Sequence, residues 1–147
     1  GVSEASFSQQ GSFYKQGTLV RIVDFGRCPR EGVISITVEG VTQVQLKDIE
    51  QQEDGLWLAS TLEKEQEEYI GLPEKYEELT DVLKALVEHP FVEGLNMDID
   101  YQDSQQVGWR LTELLPLGNR QKQNLFEMSD SLSRLEKISQ QISDMVD

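Results

Sequence analysis

The sequence predicts an α+β fold, in which an antiparallel β meander over residues 1–66 is followed by a helical bundle over residues 67–147. In the first part, residues 19–25 and 33–38 are β-branched or aromatic at nearly every position, which is typical of strands. In the second part, apolar residues recur at spacings of three and four, which is typical of amphipathic helices. A chain of 147 residues is long enough for these parts to bury a hydrophobic core.

The two apolar runs are predicted to form a β-hairpin. Arg21 and Asp24 are their only charged residues. The loop between them, residues 26–32, is polar and contains two glycines and Pro29, as expected of a hairpin connection. Strands with so few polar residues need cover on at least one face, so we expect them in the middle of a sheet or small barrel.

Two further strands are predicted after the hairpin. Val44 and Leu46 alternate with glutamines, which is the period-two pattern of a half-buried strand over residues 41–50. The segment EDG at residues 53–55 is a turn signal, and a similar alternation follows over residues 56–62. We therefore expect at least four strands in the first half.

A charge-dense run, EKEQEEY at residues 63–69, joins the two halves. Runs of this kind usually form a solvated face. We therefore expect this segment to lie in solvent and assign it no function.

Four helices are predicted in the second half. The first covers about residues 72–88, the second begins at Asp103 and ends at Pro116, the third is capped by Asn119, and the fourth is capped by Ser129 or Asp130. Within the second helix, Gly108 permits the close approach of a neighbour. Residues 89–102 have no helical periodicity, yet they carry several apolar side chains that must pack somewhere.

The net charge excludes some classes of partner. Acidic residues outnumber basic ones by 27 to 13, which gives a net charge of -14. Such a surface repels phosphate backbones and anionic lipid, so we expect no nucleic acid and no membrane as partners. The single cysteine cannot form an internal disulfide, which fits a cytoplasmic protein.

Few residues are suited to catalysis. Cys28 and His89 are the candidate nucleophile and base, but they lie in different halves of the chain. We interpret Cys28 as an incidental loop residue and His89 as a cap at the C-terminal end of the first helix. The glycine patterns of phosphate-binding loops and of serine hydrolases are absent from the sequence. The prediction is therefore a protein that is not an enzyme and binds no cofactor.

One short pattern has the spacing of a calcium-binding loop. Asn96, Asp98 and Asp100 are placed like the first ligands of an EF-hand. Tyr101 and Val107, however, occupy the positions of the required glycine and bidentate glutamate. We therefore expect a short extended segment here and no metal site.

Binding through surface groups is the function that these observations leave. Trp57 lies on the opposite side of its strand from the neighbouring leucines, and Phe91, Leu95 and Met97 belong to the apolar loop. We take these four residues as candidate contacts for unfolded or extended polypeptide, since an apolar groove on an acidic protein suits such a ligand. A structural interpretation is also open, in which the same side chains join the β half to the helical half.

Assembly through the last helix is the alternative function. Five apolar residues form a narrow stripe along it: Leu132, Leu135, Ile138, Ile142 and Met145. A stripe over two heptads more often packs within its own domain than in a coiled coil. A structural or oligomerisation role therefore stays as the second hypothesis.

Two stretches of the chain resemble the Lon substrate-binding domain, the N-terminal module of the ATP-dependent protease Lon, which also occurs as a stand-alone bacterial protein. GTLVRIVDF and ISITVEGVTQVQL, within residues 17–46, are similar to a strand pair of that family. YQDSQQVGWRLTELLPLGNRQKQNLFEM, residues 101–128, is similar to its second signature, an acidic helix start followed by an RLAELLPL-like run. The order and spacing of the two stretches also agree with the family.

The resemblance implies a PUA-like partial barrel followed by a helical bundle, with a non-catalytic role in recognising unfolded or damaged protein substrates. The ATPase motifs and the Ser-Lys protease domain of Lon are absent from this sequence, so the resemblance implies no proteolysis by this polypeptide. The family's opening strands are not present before Gly1, as in a domain without roughly its first forty residues. Because unpaired sheet edges would follow, we expect a homodimer through those edges.

Overall fold

The computed structural model describes residues 13–30, 32–93 and 97–146. The chain divides into two compact units, Gly1–Glu65 and Gln66–Asp147. The described strands belong to the first unit and form a three-stranded antiparallel sheet, whereas the described part of the second unit contains five α-helices. This arrangement confirms the predicted α+β class.

The sheet contains β1 (Gln16–Arg27), β2 (Ile34–Gln51) and β3 (Trp57–Glu63), in the order β1-β2-β3. The first hairpin closes through a hydrogen bond of 3.1 Å from the Cys28 N–H to the Val33 carbonyl. In the second, Asp54 accepts a bond of 2.9 Å from the Leu56 N–H. Gly55 has a φ of 90°, a left-handed conformation that glycine adopts without strain.

β2 is one long strand where the sequence analysis predicted two. Gly40 does not interrupt it, because Gly40 pairs with Val20 and the ladder continues with Leu19 opposite Thr42. The additional residue, Val41, is accommodated as a β-bulge. The expectation of at least four strands is therefore wrong for the described residues, whose sheet has three.

Among the described strands, β1 lies at the edge of the sheet and not in its middle. β3 pairs only with residues 44–51 of β2, so the rest of the hairpin is a two-stranded ribbon formed by residues 20–27 and 34–40. Val44 is the one buried apolar residue in the described part of this unit. The described residues do not cover these two strands, contrary to the expectation, because a single sheet cannot bury its own faces.

In the second unit, a single 3₁₀ turn, Glu74–Tyr76, precedes α1 (Glu77–Val87), α2 (Pro90–Glu93), α3 (Ser104–Leu114), α4 (Asn119–Glu127) and α5 (Ser131–Val146). α2 was not predicted from the sequence. Pro90 ends the pattern of the first helix, but a proline also suits the first position of a new one. None of these described helices is long and apolar enough to cross a membrane.

The apolar faces of the helices form one core. Its buried members in the described part of the chain are Tyr76, Leu79, Leu83, Val107, Leu111, Leu115, Leu125, Leu135 and Ile138. They include the residues whose spacing of three and four predicted the helices. Burial of an amphipathic face therefore accounts for each of the longer helices.

The helix starts follow the predicted caps at two positions out of three. Asp103 caps α3, and its carboxylate accepts a bond of 3.0 Å from the N–H two residues later. Asp130, one of the two predicted residues, accepts a bond of 2.9 Å from an N–H in the first turn of α5. At α4 the prediction is wrong, because Asn119 is already helical and Gln121 accepts from the Gly118 N–H at 3.0 Å.

Gly108 brings α3 close to α5, in agreement with its predicted role. A Cβ atom at this position would lie 3.3 Å from Cδ of Arg134 and 3.6 Å from Cδ2 of Leu135. The absence of a side chain thus leaves room for the Arg134 side chain, which is fully buried.

Candidate functional site

The most deeply buried ion pair among the described residues lies in the helical unit. Arg134 of α5 is fully buried, and the side chain of Glu67 is only 9% exposed. The guanidinium donates to both oxygens of the Glu67 carboxylate, at 2.6 and 3.1 Å. It also donates to the carbonyl of Leu125 at 2.9 Å and to the carbonyl of Met128. All three guanidinium nitrogens are therefore hydrogen-bonded.

Glu67 is ionised at neutral pH although it is partly buried. Burial opposes ionisation, but the hydrogen bonds from Arg134 and from the Ser131 hydroxyl outweigh it, so the pKa of Glu67 lies below its ordinary value. The Ser131 bond is 2.5 Å long. The pair ties the segment before the first helix to α5, and we interpret it as structural because all of its charge is used internally.

The expectation that residues 63–69 lie in solvent is therefore wrong for Glu67. Glu65 and Glu68 are exposed as expected, but Glu67 points inward. The local sequence gives no sign of this difference, because the partner Arg134 lies 67 residues further along the chain.

Trp57 is the candidate contact in the first unit. It is the first residue of β3 and is half-buried. Its indole contacts the ring of Phe13 edge to face, with ring centroids 4.8 Å apart and an angle of 63° between the planes. The neighbouring Leu58 is more exposed, at 42%. Trp57 thus presents only part of its ring at the surface.

Phe91 is the most exposed of the candidate contacts. It lies in α2 and is 87% exposed, the highest value among large apolar residues in the described part of the chain. Its ring stacks on the imidazole of His89, with centroids 5.4 Å apart and planes 17° from parallel. A full aromatic face is therefore available on one side of Phe91.

His89 has a different role from the predicted one. Its Nδ1 accepts a hydrogen bond of 3.3 Å from the Phe91 N–H. The imidazole therefore supports the start of α2, and the prediction that it caps the end of the first helix is wrong. The reason is that a new helix begins at Pro90, and the ring accepts a hydrogen bond from the N–H of its second residue, Phe91.

Met97 and Leu95 are the two remaining candidate contacts. Met97 follows α2 and is half-buried, whereas Leu95 lies outside the described residues. Phe91 and Met97 belong to the second unit, and Trp57 belongs to the first. The structure thus pairs Trp57 with Phe13 and Phe91 with His89.

A shallow depression of about 430 Å³ lies along the first turns of α5. Its lining carries charges of both signs, among them Lys75, Asp130 and Lys137. The Tyr76 hydroxyl donates a bond of 2.7 Å to Glu136, and this bond together with burial raises the pKa of Tyr76. Because neither sign of charge dominates, the depression has no evident preference for an anion or a cation.

The groups considered for chemistry belong to different units of the chain. Cys28 is a half-buried residue of the first hairpin loop, and His89 belongs to the other unit. Asp100 accepts a bond of 3.0 Å from the Gln102 N–H, and Asn96 lies outside the described residues. Within the described ranges, no three potential metal ligands cluster together.

Comparisons with known proteins add a family context. A family model described as the ATP-dependent protease La (LON) substrate-binding domain matches residues 2–144. The chain is similar to the crystal structure of a Lon N-terminal domain protein from Xanthomonas campestris, with a TM-score of 0.70 and 26% identity over 85% of this chain and 66% of that one. No curated protein sequence matches the chain.

A second solved structure shares the fold. The N-terminal domain of Mycobacterium avium complex Lon protease gives a TM-score of 0.59 and 19% identity, covering 90% of this chain and 72% of that one. Both similarities extend over the sheet and the helices, since each covers most of this chain.

Proposed function

Because the chain belongs to the ATP-dependent protease La (LON) substrate-binding domain family, we propose that it is a non-catalytic module that binds unfolded or extended polypeptide. The family supports a substrate-recognition role, and the unfolded state of the substrate is the more specific part of the proposal. The observation that carries this part is Phe91, whose side chain lies almost wholly in solvent.

Phe91 has the properties of a binding anchor. Exposed aromatic rings contribute most of the binding energy in many interfaces, because they bury a large area and lose little side-chain entropy. The ring stacks on the imidazole of His89, a contact that favours this orientation. Met97 belongs to the same unit, and its flexible thioether suits ligands of varied shape. Leu95 and Trp57 complete the proposed set of contacts.

The proposal also covers the partners and the cellular compartment of the protein. The partners are unfolded or damaged protein segments, the compartment is the cytoplasm, and neither ATP hydrolysis nor proteolysis is carried out by this polypeptide. Two copies would also pair through their sheets, since the outer edges of β1 and β3 have no partner strand among the described residues.

A binding titration tests this function. A permanently unfolded, reduced and alkylated model protein is added to the full chain, and complex formation is followed by tryptophan fluorescence and by sedimentation. We expect a complex at concentrations of roughly tens of micromolar. Phe91→Ser should raise the dissociation constant about tenfold, and the fold should be unchanged because the side chain is exposed.

Val146→Ser is the matched control. Val146 is also apolar and 81% exposed, but it lies at the end of α5. Its substitution should change the dissociation constant by less than about twofold. Absence of a complex with the unmodified chain, or equal losses with both variants, would count against the proposed function.

The apolar stripe of α5, on which the alternative function depends, is mostly buried within its own unit. Leu135 and Ile138 are fully buried, and Leu132 and Ile142 pack against the same core. Of the α5 stripe only Met145 is largely exposed, at 47%. Assembly through this helix would therefore depend on its last turn, and Met145→Ser would abolish it if it occurred.

A further inference from the structure

His89 is bonded to the start of α2 through both its backbone and its ring. Its carbonyl accepts hydrogen bonds from the N–H groups of Val92, at 2.8 Å, and Glu93, at 3.0 Å. Its Nδ1 accepts from the Phe91 N–H at 3.3 Å. A side-chain acceptor that is bonded to an N–H of the first turn is the N-cap arrangement. His89 therefore caps α2, and Pro90 occupies the first helical position.

The protonation state of the imidazole decides whether this cap can form. A neutral imidazole has one nitrogen that donates and one that accepts, so its proton is on Nε2 when Nδ1 accepts. An imidazolium carries a proton on both nitrogens and accepts no hydrogen bond. It also places a positive charge beside the positive end of a helix. Protonation of His89 thus removes the cap and repels the N–H groups at the start of α2.

Few other contacts order α2. The helix has four residues, Pro90–Glu93, and none of them is buried. The backbone hydrogen bonds of so short a helix do not stabilise it in isolation, because helix nucleation is unfavourable. The hydrogen bond to the ring of His89 and the stack of that ring on Phe91 are therefore a large share of what orders α2.

Charged side chains near α2 do not replace this hydrogen bond. The neighbouring helix is α1, whose C-terminal end brings Lys84 and Glu88, and Glu93 belongs to α2 itself. The Lys84 ammonium lies over the ring of Tyr101, 5.1 Å from its centroid. Within the described ranges, neither glutamate forms an ion pair with the imidazole, and residues 94–96 are uncharged. The bond to the backbone N–H therefore decides which form of the ring α2 accepts.

We propose that His89 is a pH-dependent positioning residue for Phe91: its neutral ring orders α2, and its protonated ring releases it. This regulation rests on the proposed function, in which Phe91 is the anchor for unfolded polypeptide. Only molecules with an ordered α2 present the anchor in its bound orientation, and the apparent affinity scales with their fraction. Affinity for unfolded polypeptide should therefore fall in mild acid.

An effect of this kind can be assigned to one residue. Histidine is the side chain that ordinarily changes charge between about pH 5 and 8. His89 is the one histidine of the sequence. The carboxyls of Glu67 and Asp130 have lowered pKa values, so they stay ionised throughout this range. A change between these pH values therefore reports on His89.

The binding titration with the reduced and alkylated model protein tests the proposal when it is repeated at about pH 7.5 and about pH 5.5. For the unmodified chain, the dissociation constant should be about fivefold higher at the lower pH, which is the factor that a typical N-cap contributes. His89→Asn is the control, because asparagine caps helices well and does not titrate. Its dissociation constant should differ less than about twofold between the two pH values. The comparison of the two chains cancels any titration of the model protein.

NMR of the full chain without polypeptide separates this inference from the proposed function. The carbon chemical shifts of residues 90–93 should be helical at neutral pH and move towards random-coil values as the ring of His89 gains its proton. In His89→Asn they should stay helical. Helical shifts that persist in the protonated chain would overturn the inference, and so would an equal change in both chains.

The binding result decides the regulatory part. A complex whose dissociation constant is the same at both pH values in the unmodified chain would overturn the inference and leave the proposed function intact. Absence of a complex at either pH would overturn the proposed function, and with it the regulation of binding, while the NMR shifts would still decide whether His89 orders α2.

Discussion

The guanidinium of Arg134 and the carboxylate of Glu67 form two hydrogen bonds, of 2.6 and 3.1 Å, across 67 residues of sequence. This contact fastens the segment before the first helix to the last helix. The same guanidinium also donates hydrogen bonds to the carbonyls of Leu125, in α4, and Met128, in the α4–α5 connection. One side chain thus organises three parts of the helical unit.

Glu67→Gln should destabilise the helical unit by about 3 kcal/mol, since it leaves the buried charge of Arg134 without a counter-ion. Urea unfolding followed by circular dichroism measures the change. Glu68→Gln is the control, because the neighbouring carboxylate is exposed and should contribute less than about 0.5 kcal/mol. The double variant Glu67→Gln, Arg134→Met should recover part of the loss, and a strictly additive result would contradict the assigned pairing.

The stability of the chain should fall in acid partly through Glu67. Its pKa in the folded state lies below the ordinary value of 4.5, so the unfolded state binds more protons between the two values. The contribution is complete above pH 4.5 and is lost as the pH falls through the folded pKa. Unfolding free energies measured across this range should depend less steeply on pH in Glu67→Gln. The pKa of Asp130 is also lowered, by hydrogen bonds from Ser133, so some dependence should persist.

Gly108→Ala should destabilise the protein by about 1 kcal/mol, although alanine has a higher helix propensity than glycine. The new methyl group would lie 3.3 Å from Cδ of Arg134, and the four hydrogen bonds of that guanidinium prevent it from moving aside. Thermal unfolding measures the effect. The cost should shrink in a Glu67→Gln background, where Arg134 is less constrained, and an unchanged cost there would show that Arg134 is not the obstacle.

Tyr76→Phe should lower the free energy of unfolding by about 1 kcal/mol at neutral pH. The substitution removes the hydrogen bond of 2.7 Å to Glu136 but keeps the buried ring. Chemical denaturation detects this difference. Tyr69→Phe provides the comparison, because the hydroxyl of Tyr69 is solvent-exposed and makes only a long contact of 3.4 Å. Equal losses in both variants would argue against a specific role for the Tyr76–Glu136 bond.

Local patterns predicted the elements of the fold well. The recurrence of apolar residues at three and four positions located α1, α3 and α5, because burial of one face selects that period. Asp103 and Asp130 were predictable as caps, since capping depends on residues within one turn. The fold class followed from the change of period between the two halves.

Long-range relationships were not predictable in the same way. Gly40 looked like a break in the sheet, but its effect depends on the partner strand, where Val20 continues the ladder. The exposure of the β1–β2 ribbon depends on how far β3 extends, which no property of residues 20–40 reveals. The family resemblance was available from the sequence, yet it did not indicate which apolar side chains would face solvent.

The sequence by itself determined the fold class, the positions of α1, α3 and α5, the caps Asp103 and Asp130, and the family to which the chain belongs, since these properties arise from neighbours within a few positions or from motifs. Only the tertiary structure decided that Glu67 is buried against Arg134 and that Phe91 is exposed. The physical reason is that the cost of burying a charge, or of exposing an apolar side chain, depends on partners that are distant in sequence and adjacent only after folding.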